Sequence, residues 1–186
     1  LEGASPQETD SGRLLAAMGE EISEAGIERI TPWRFDPPLS PDMAAERAGK
    51  TLSLQELTNF CLAPKDKDIV LVEGAGGVLV PINNVATMAD WMQALDAQTD
   101  LKVLLVVGSY LGSISHTLTA MESLAARDLG PSAIIISTSE INPVPVEETA
   151  RVMARFARNV PTVIVPRFIA TDGTGETAPD LTTLVI

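Results

Sequence analysis

The chain has 186 residues, 45% of them hydrophobic and 20% charged, enough for one compact domain with its own core. Its formal charge of −12 and the lack of any basic stripe argue against a nucleic-acid-binding surface. A single cysteine, Cys61, excludes an internal disulfide and a cysteine-based zinc site, the longest apolar runs are too short to span a bilayer, and no signal-peptide pattern is visible, so a reducing cytoplasm is the expected setting.

Leu1–Thr9 is polar, contains Gly and Pro, and reads as loop. Asp10 precedes the helical run Leu14–Met18, whose first N–H groups its carboxylate is placed to cap. Ile27–Ile30 is expected as a short strand, followed by Thr31–Pro38, where two aromatics among three prolines make an ordered loop. Ser40-Pro41 starts a helix that continues through Met43, Ala44 and Ala45 and stops at Gly49. Ser53 and Glu56 form a capping box, and Leu54, Leu57, Phe60 and Cys61 follow at helical spacing until Pro64.

Ile69–Val72 is an unbroken apolar run, the pattern of a strand buried on both faces. It ends in Glu73 and then Gly74-Ala75-Gly76-Gly77. In open parallel α/β sheets, ligands bind just past the carboxyl ends of the strands. A carboxylate there, followed by glycines that let the backbone approach a ligand, suits a metal–phosphate or small-substrate site. The plain alternative is an exposed acid and a glycine turn, and these residues alone leave both open.

Beyond a turn at Asn83–Asn84, Thr87–Trp91 begins a helix running to about Ala97. Val103–Val107 is a second buried strand. Leu111–His116 then opens a helix with Ile114, Leu118, Met121 and Ala125 on one face. Its glycine and serines leave N–H groups free for an anion such as a carboxylate. His116, the only histidine, is assigned to packing or capping rather than catalysis, because no second histidine or cysteine pair accompanies it. Ala133–Ile136 is a third strand, Pro145 starts a helix with Glu147 and Glu148 in its first turn, and Thr162–Val165 is a fourth strand ending at Pro166. Phe168–Asp180 reads as loop and Leu181–Ile186 as a short apolar end piece. The alternation of strands and helices after Asp68 predicts a single α/β domain over 1–186, with a mostly parallel sheet and right-handed crossovers.

Several stretches in order resemble dethiobiotin synthase. They are Val72–Gly77 with Val80-Pro81, Ala89–Trp91, Val106–Gly108 with Leu111-Gly112, and Ile114–His116. Upstream, Phe35, Pro38–Pro41 and Ala44-Ala45 resemble the same family, as does Val165-Pro166 downstream. The resemblance covers roughly residues 10 to 170. It implies a three-layer P-loop NTPase-like fold, a homodimer, and closure of the ureido ring of dethiobiotin from 7,8-diaminononanoate, carbon dioxide or bicarbonate, and ATP, with magnesium. It implies roles by position: Glu73 and Asp10 beside magnesium, with Glu73 and Gly76 also near the nucleotide. Gly74, Gly76, Leu111, Gly112 and Ser115 would hold the substrate, and Ser137, Pro166 and Arg167 would border the base. Ser115 and Ser137 stand where the family usually or often has Asn, so contacts there are expected to be weaker or routed through water.

The family also begins with a strand, a glycine-rich loop ending in Gly-Lys-Thr, and a helix. No G-x-x-x-x-G-K-[ST] occurs in these 186 residues, and Gly173-Thr-Gly175 is not one. That loop cradles phosphates, and its strand is central to the sheet. The chain is therefore expected to be the C-terminal portion of a longer protein, with roughly 40 to 50 further residues before it, the size of a βαβ unit with its loops. No catalytic residue is assigned within the chain itself. The competing expectations are a degenerate substrate-binding paralogue that binds no ATP, and another P-loop ATPase of the cobyrinate amidase-like or ParA-like kind.

Overall fold

The computed structural model of the chain describes residues 5–36, 38–158, 160–167 and 179–185. They fall into two compact units, one formed by residues 1–53 with 81–85 and the other by residues 54–80 with 86–186.

The first unit is helical. Helix α1 (Asp10–Ala17) is capped by Thr9, whose Oγ1 accepts from the Gly12 N–H at 3.0 Å. Asp10 is therefore the first helical residue and not the cap expected from its position. Thr9 takes the role because its extended backbone turns the hydroxyl onto the orphan N–H groups, leaving Asp10 where a negative charge favours the helix dipole. Gly12 admits no side chain, since a Cβ there would lie 1.9 Å from the Pro6 carbonyl oxygen.

The expected strand Ile27–Ile30 is instead part of helix α2 (Glu24–Ile30). Ser23 caps it by accepting from the Gly26 N–H at 3.1 Å, and spacing of three places Ile27 and Ile30 on one helical face. Ile27 is buried, so local capping and packing outweigh the β-propensity of the isoleucines. Helix α3 (Pro41–Arg47) has Pro at its first position, as its sequence predicts, and buries Ala44 and Ala45.

The second unit contains a three-stranded parallel sheet in the order β1 (Leu104–Val107), β2 (Ala133–Ser137), β3 (Thr162–Val165). Leu104 pairs with Ala133 and Val107 with Ile136, while Ile134 pairs with Thr162 and Ser137 with Val165. The sheet is flanked by helices α4 (Leu54–Leu62), α5 (Met88–Asp96), α6 (Ser113–Ala125) and α7 (Val146–Phe156). Ile134 and Ile136 pack with Met153 and Ala157, with Ile114 and Met121 against them. Leu105 packs with Leu124 and Leu129, joined by Val78 and Met92. The central strand β2 is thus buried along Ala133–Ile136, which is why its sequence reads as a continuous apolar run.

The expected strand at Ile69–Val72 does not form among the described residues. The segment has no sheet partner, and all four side chains are exposed, Leu71 by 80%. A strand requires a neighbour to take its N–H and C=O groups, and apolar sequence alone supplies none. Among the described residues strand β1 is likewise paired on one side only, with Val106 64% exposed. Among the described residues no helix is long and apolar enough to cross a membrane. The Phe168–Asp180 stretch lies almost wholly outside the described residues, and within the end piece Thr182–Leu184 forms one 3-10 turn.

Candidate functional site

Because the three strands are parallel, the turns that follow them emerge at one edge of the sheet. After β1 comes Gly108–Gly112, which leads into α6. After β2, which ends at Ser137, comes Thr138–Asn142, and after β3 come Pro166 and Arg167. The register therefore brings Leu111, Gly112, Ser115, Ser137, Pro166 and Arg167 to the carboxyl end of the sheet.

Gly112 is the N-cap of α6 at φ 99°, a left-handed conformation that glycine adopts without strain. It has no side chain to cap the helix; the Ser113 N–H donates to the Tyr110 carbonyl at 3.1 Å, so the first-turn N–H groups available to solvent or an anion are those of Ile114 and Ser115. Leu111 and Ser115 are exposed beside it, and Ser113 is buried. Tyr110 folds back over Gly108, where a Cβ would lie 2.6 Å from its ring, and its hydroxyl meets His116 Nδ1 at 2.9 Å. His116 is thus a structural partner of this turn, the role its solitary occurrence suggests.

The β2 and β3 ends are tied together by Thr138, whose N–H and hydroxyl both donate to the Val165 carbonyl at 2.9 and 3.0 Å. Arg167 faces Glu140 across the surface, with Nη2 and Oε2 3.5 Å apart. Ser137 is exposed at the strand end between these contacts.

Glu73 and the glycines form a separate turn in the same unit. Gly76 has φ 84°, and a Cβ on it would lie 2.8 Å from Val80 Cγ2. The Val80 N–H donates to the Gly77 carbonyl at 3.0 Å. The carbonyls of Val80 and Val78 accept from the N–H groups of Met88 and Ala89, pinning the turn to the start of α5. That helix start is itself fixed by a capping box the sequence analysis missed. Asp90 accepts from the Thr87 N–H and hydroxyl, both at 2.7 Å, and these bonds, helped by the nearby Arg127, hold its carboxyl below the usual carboxylate range. Thr87 and Asp90 at a spacing of three were the available signal. Glu73 projects into solvent at the start of the turn. Asp10 belongs to the other unit, exposed in the first turn of α1. Cys61 is half-buried, and desolvation pushes its thiol pKa up, as fits an inert structural thiol.

Among the described residues no three His, Cys, Asp or Glu side chains are grouped to hold a metal ion. Magnesium does not require such a cage, because it commonly binds one or two carboxylates and completes its shell with water and phosphate oxygens. An exposed carboxylate on a backbone-pinned glycine turn fits that limited demand. A shallow cavity of about 420 Å³ lies elsewhere, between α7 and β3, lined by Glu147, Ala150, Arg151, Ala154, Thr162 and Ile164. It contains none of the turn residues, and the chemistry of the donor set favours the turns over it.

Residues 4–167 match the AAA domain family. The ATP-dependent dethiobiotin synthetase BioD of Acidiphilium cryptum is 42% identical over 160 residues, covering 82% of this chain and 68% of that protein. The protein of the same name from Phenylobacterium zucineum is 43% identical over 163 residues, 86% of this chain and 68% of its own length. That of Methylobacterium nodulans is 41% identical over 153 residues, 80% and 66% respectively. The matched region thus spans about two thirds of each relative. With the turns that follow three parallel strands gathered at one edge of the sheet and identity of this extent, the chain belongs to the ATP-dependent dethiobiotin synthetase family.

Proposed function

We propose that the protein closes the ureido ring of dethiobiotin from 7,8-diaminononanoate, carbon dioxide and ATP, with magnesium, as a cytoplasmic homodimer. One amine of the substrate adds to carbon dioxide and loses a proton, giving a carbamate. The γ-phosphoryl group of ATP passes to a carbamate oxygen and ADP leaves. The second amine attacks the carbamoyl carbon, and phosphate departs as the ring closes.

The observation that carries this reading is the gathering of the β1, β2 and β3 turns at one sheet edge in a chain of this family. Each turn has a part that its chemistry suits. The open start of α6, with Leu111, Gly112 and Ser115, receives the substrate's carboxylate tail on backbone N–H groups. Ser137, Pro166 and Arg167 flank the base. Gly74 and Gly76 keep the turn after Glu73 narrow enough for the backbone to reach substrate and phosphates. Glu73 would hold magnesium, which when bound neutralises charge on the phosphates.

The phosphate-cradling loop and its lysine we assign to polypeptide outside these residues. The support is that, among the described residues, β1 pairs on one side with Val106 exposed and the apolar run Ile69–Val72 has no sheet partner, and both would become ordinary sheet if an apolar strand lay alongside them.

The deciding assay is ADP release by the full-length gene product with 7,8-diaminononanoate and bicarbonate. Turnover that needs both substrates and magnesium is expected. Absence of turnover together with absence of magnesium-dependent nucleotide binding would replace the enzyme by a non-catalytic binding module.

A further inference from the structure

We propose that Ser109, Ser139 and Asn142 form a clamp, centred on the buried Ser109, that positions the turn before α6 and locks it to the turn after β2, so that the two proposed binding turns act as one preorganised unit. The inference rests on the proposed roles of those turns, and its own evidence is geometric.

Ser109 is fully buried, although its neighbours Tyr110 and Leu111 are exposed. Its N–H donates to Ser139 Oγ at 3.0 Å, and the Ser139 N–H donates back to Ser109 Oγ at 2.9 Å. The Ser109 hydroxyl donates in turn to Asn142 Oδ1, and Asn142 Nδ2 donates to the Ser139 carbonyl at 2.8 Å. The N–H and the hydroxyl of Ser109 are thus both satisfied within a closed network. The β1–β2 ladder ends at Val107 and Ile136, and the clamp continues the cross-strand connection where backbone pairing stops.

The arrangement tolerates few alternatives. A Cβ on Gly108 would lie 2.9 Å from Ser139 Oγ and 2.6 Å from Tyr110 Cδ1, so glycine lets the two turns approach. An apolar residue at 109 would leave the half-buried Ser139 N–H and Asn142 Oδ1 without their partner, a costlier state than a network never built. On its other side the turn is held by Tyr110 and His116. The segment Gly108–Gly112 is therefore fixed at both ends before any ligand arrives, which lowers the ordering cost of binding at Leu111, Gly112 and Ser115. None of the three clamp residues is placed to touch substrate. They are positioning residues.

The test compares Ser139→Ala, which removes the acceptor for the Ser109 N–H, with Ser139→Thr, which keeps it, in the full-length protein. Amide hydrogen exchange at residues 109–113 should quicken about tenfold in Ser139→Ala and stay near wild type in Ser139→Thr. The KM for 7,8-diaminononanoate should rise about tenfold in Ser139→Ala with kcat within about twofold, and Ser139→Thr should restore it. A tenfold change corresponds to about 1.4 kcal/mol, within the range for a buried donor left unpaired. If Ser139→Ala does not fold, Asn142→Ala opens the network at its other corner and should show the same pattern. Wild-type exchange at 109–113 in both variants, or losses of kcat and KM that simply track the fraction folded, would overturn the clamp. An inactive wild-type enzyme would refute the proposed function instead, and the exchange measurement would still decide the clamp.

Discussion

Replacing Gly76 by alanine tests whether the turn after Glu73 has the backbone conformation described here. Two costs arise from the structure. Gly76 sits at φ 84°, where an L-residue is disfavoured by roughly 1–2 kcal/mol. The added Cβ would also fall 2.8 Å from Val80 Cγ2 and 3.5 Å from its Cβ and Cγ1. Val80 cannot easily withdraw. Its N–H bonds to the Gly77 carbonyl, its carbonyl accepts from Met88, and a β-branched side chain has little rotamer freedom. Overpacking of this kind costs about 1–3 kcal/mol. The expected sum is a loss of about 2–5 kcal/mol, seen in urea unfolding, or a fall in Tm of roughly 4–20 °C in a protein of this size. Gly77→Ala is the control, because nothing lies within 4 Å of a Cβ there, and it should cost under about 0.5 kcal/mol. In a Val80→Ala background the overlap disappears but the φ penalty remains, so Gly76→Ala should lose only about half as much. A Gly76→Ala protein as stable as Gly77→Ala would refute the turn geometry, and with it the approach of backbone to ligand inferred from it.

Glu73→Gln in the full-length enzyme should lower turnover at least about tenfold by removing a charge at the proposed metal site, and unchanged ADP release would remove Glu73 from the mechanism. Asp90→Ala should destabilise the protein by about 1 kcal/mol at neutral pH through loss of the Thr87 cap. Because the folded carboxyl titrates below the unfolded value of about 3.9, its stabilisation is present above that pH and fades as the pH falls through the lowered folded value. Chemical unfolding from pH 7 to 3 should show the wild-type advantage shrinking below about pH 4, and an advantage independent of pH would contradict the assignment. Leu71→Asp in the full-length protein should cost more than about 2 kcal/mol if a strand covers that side chain, whereas a cost under about 0.5 kcal/mol in thermal unfolding would mean it stays exposed.

Much of the second unit was legible from residue order alone. Strands β1, β2 and β3 appear within one residue of their apolar runs, and β2 shows why: covered on both faces along Ala133–Ile136, it must be apolar throughout, and that demand is local. The starts of α3 and α6 follow from Ser40-Pro41 and Gly112, whose backbone preferences act within one turn. Where the sequence misled, a second segment held the answer. Ile27–Ile30 has strand residues but coils, because Ser23 caps it and Ile27 finds a helical packing site. Ile69–Val72 has a strand's composition and no neighbour to make it one. The clamp was invisible, since Ser109 meets Ser139 at a separation of 30 residues and Asn142 at 33. Residue types at such distances carry no spacing signal.

Sequence by itself therefore determined the parallel α/β order, the glycine turn after Glu73 and the family, all properties of short contiguous stretches. Tertiary structure alone decided which serines are buried together, which apolar run goes unpaired and which turns share an edge, because each depends on parallel pairing between segments far apart in the chain.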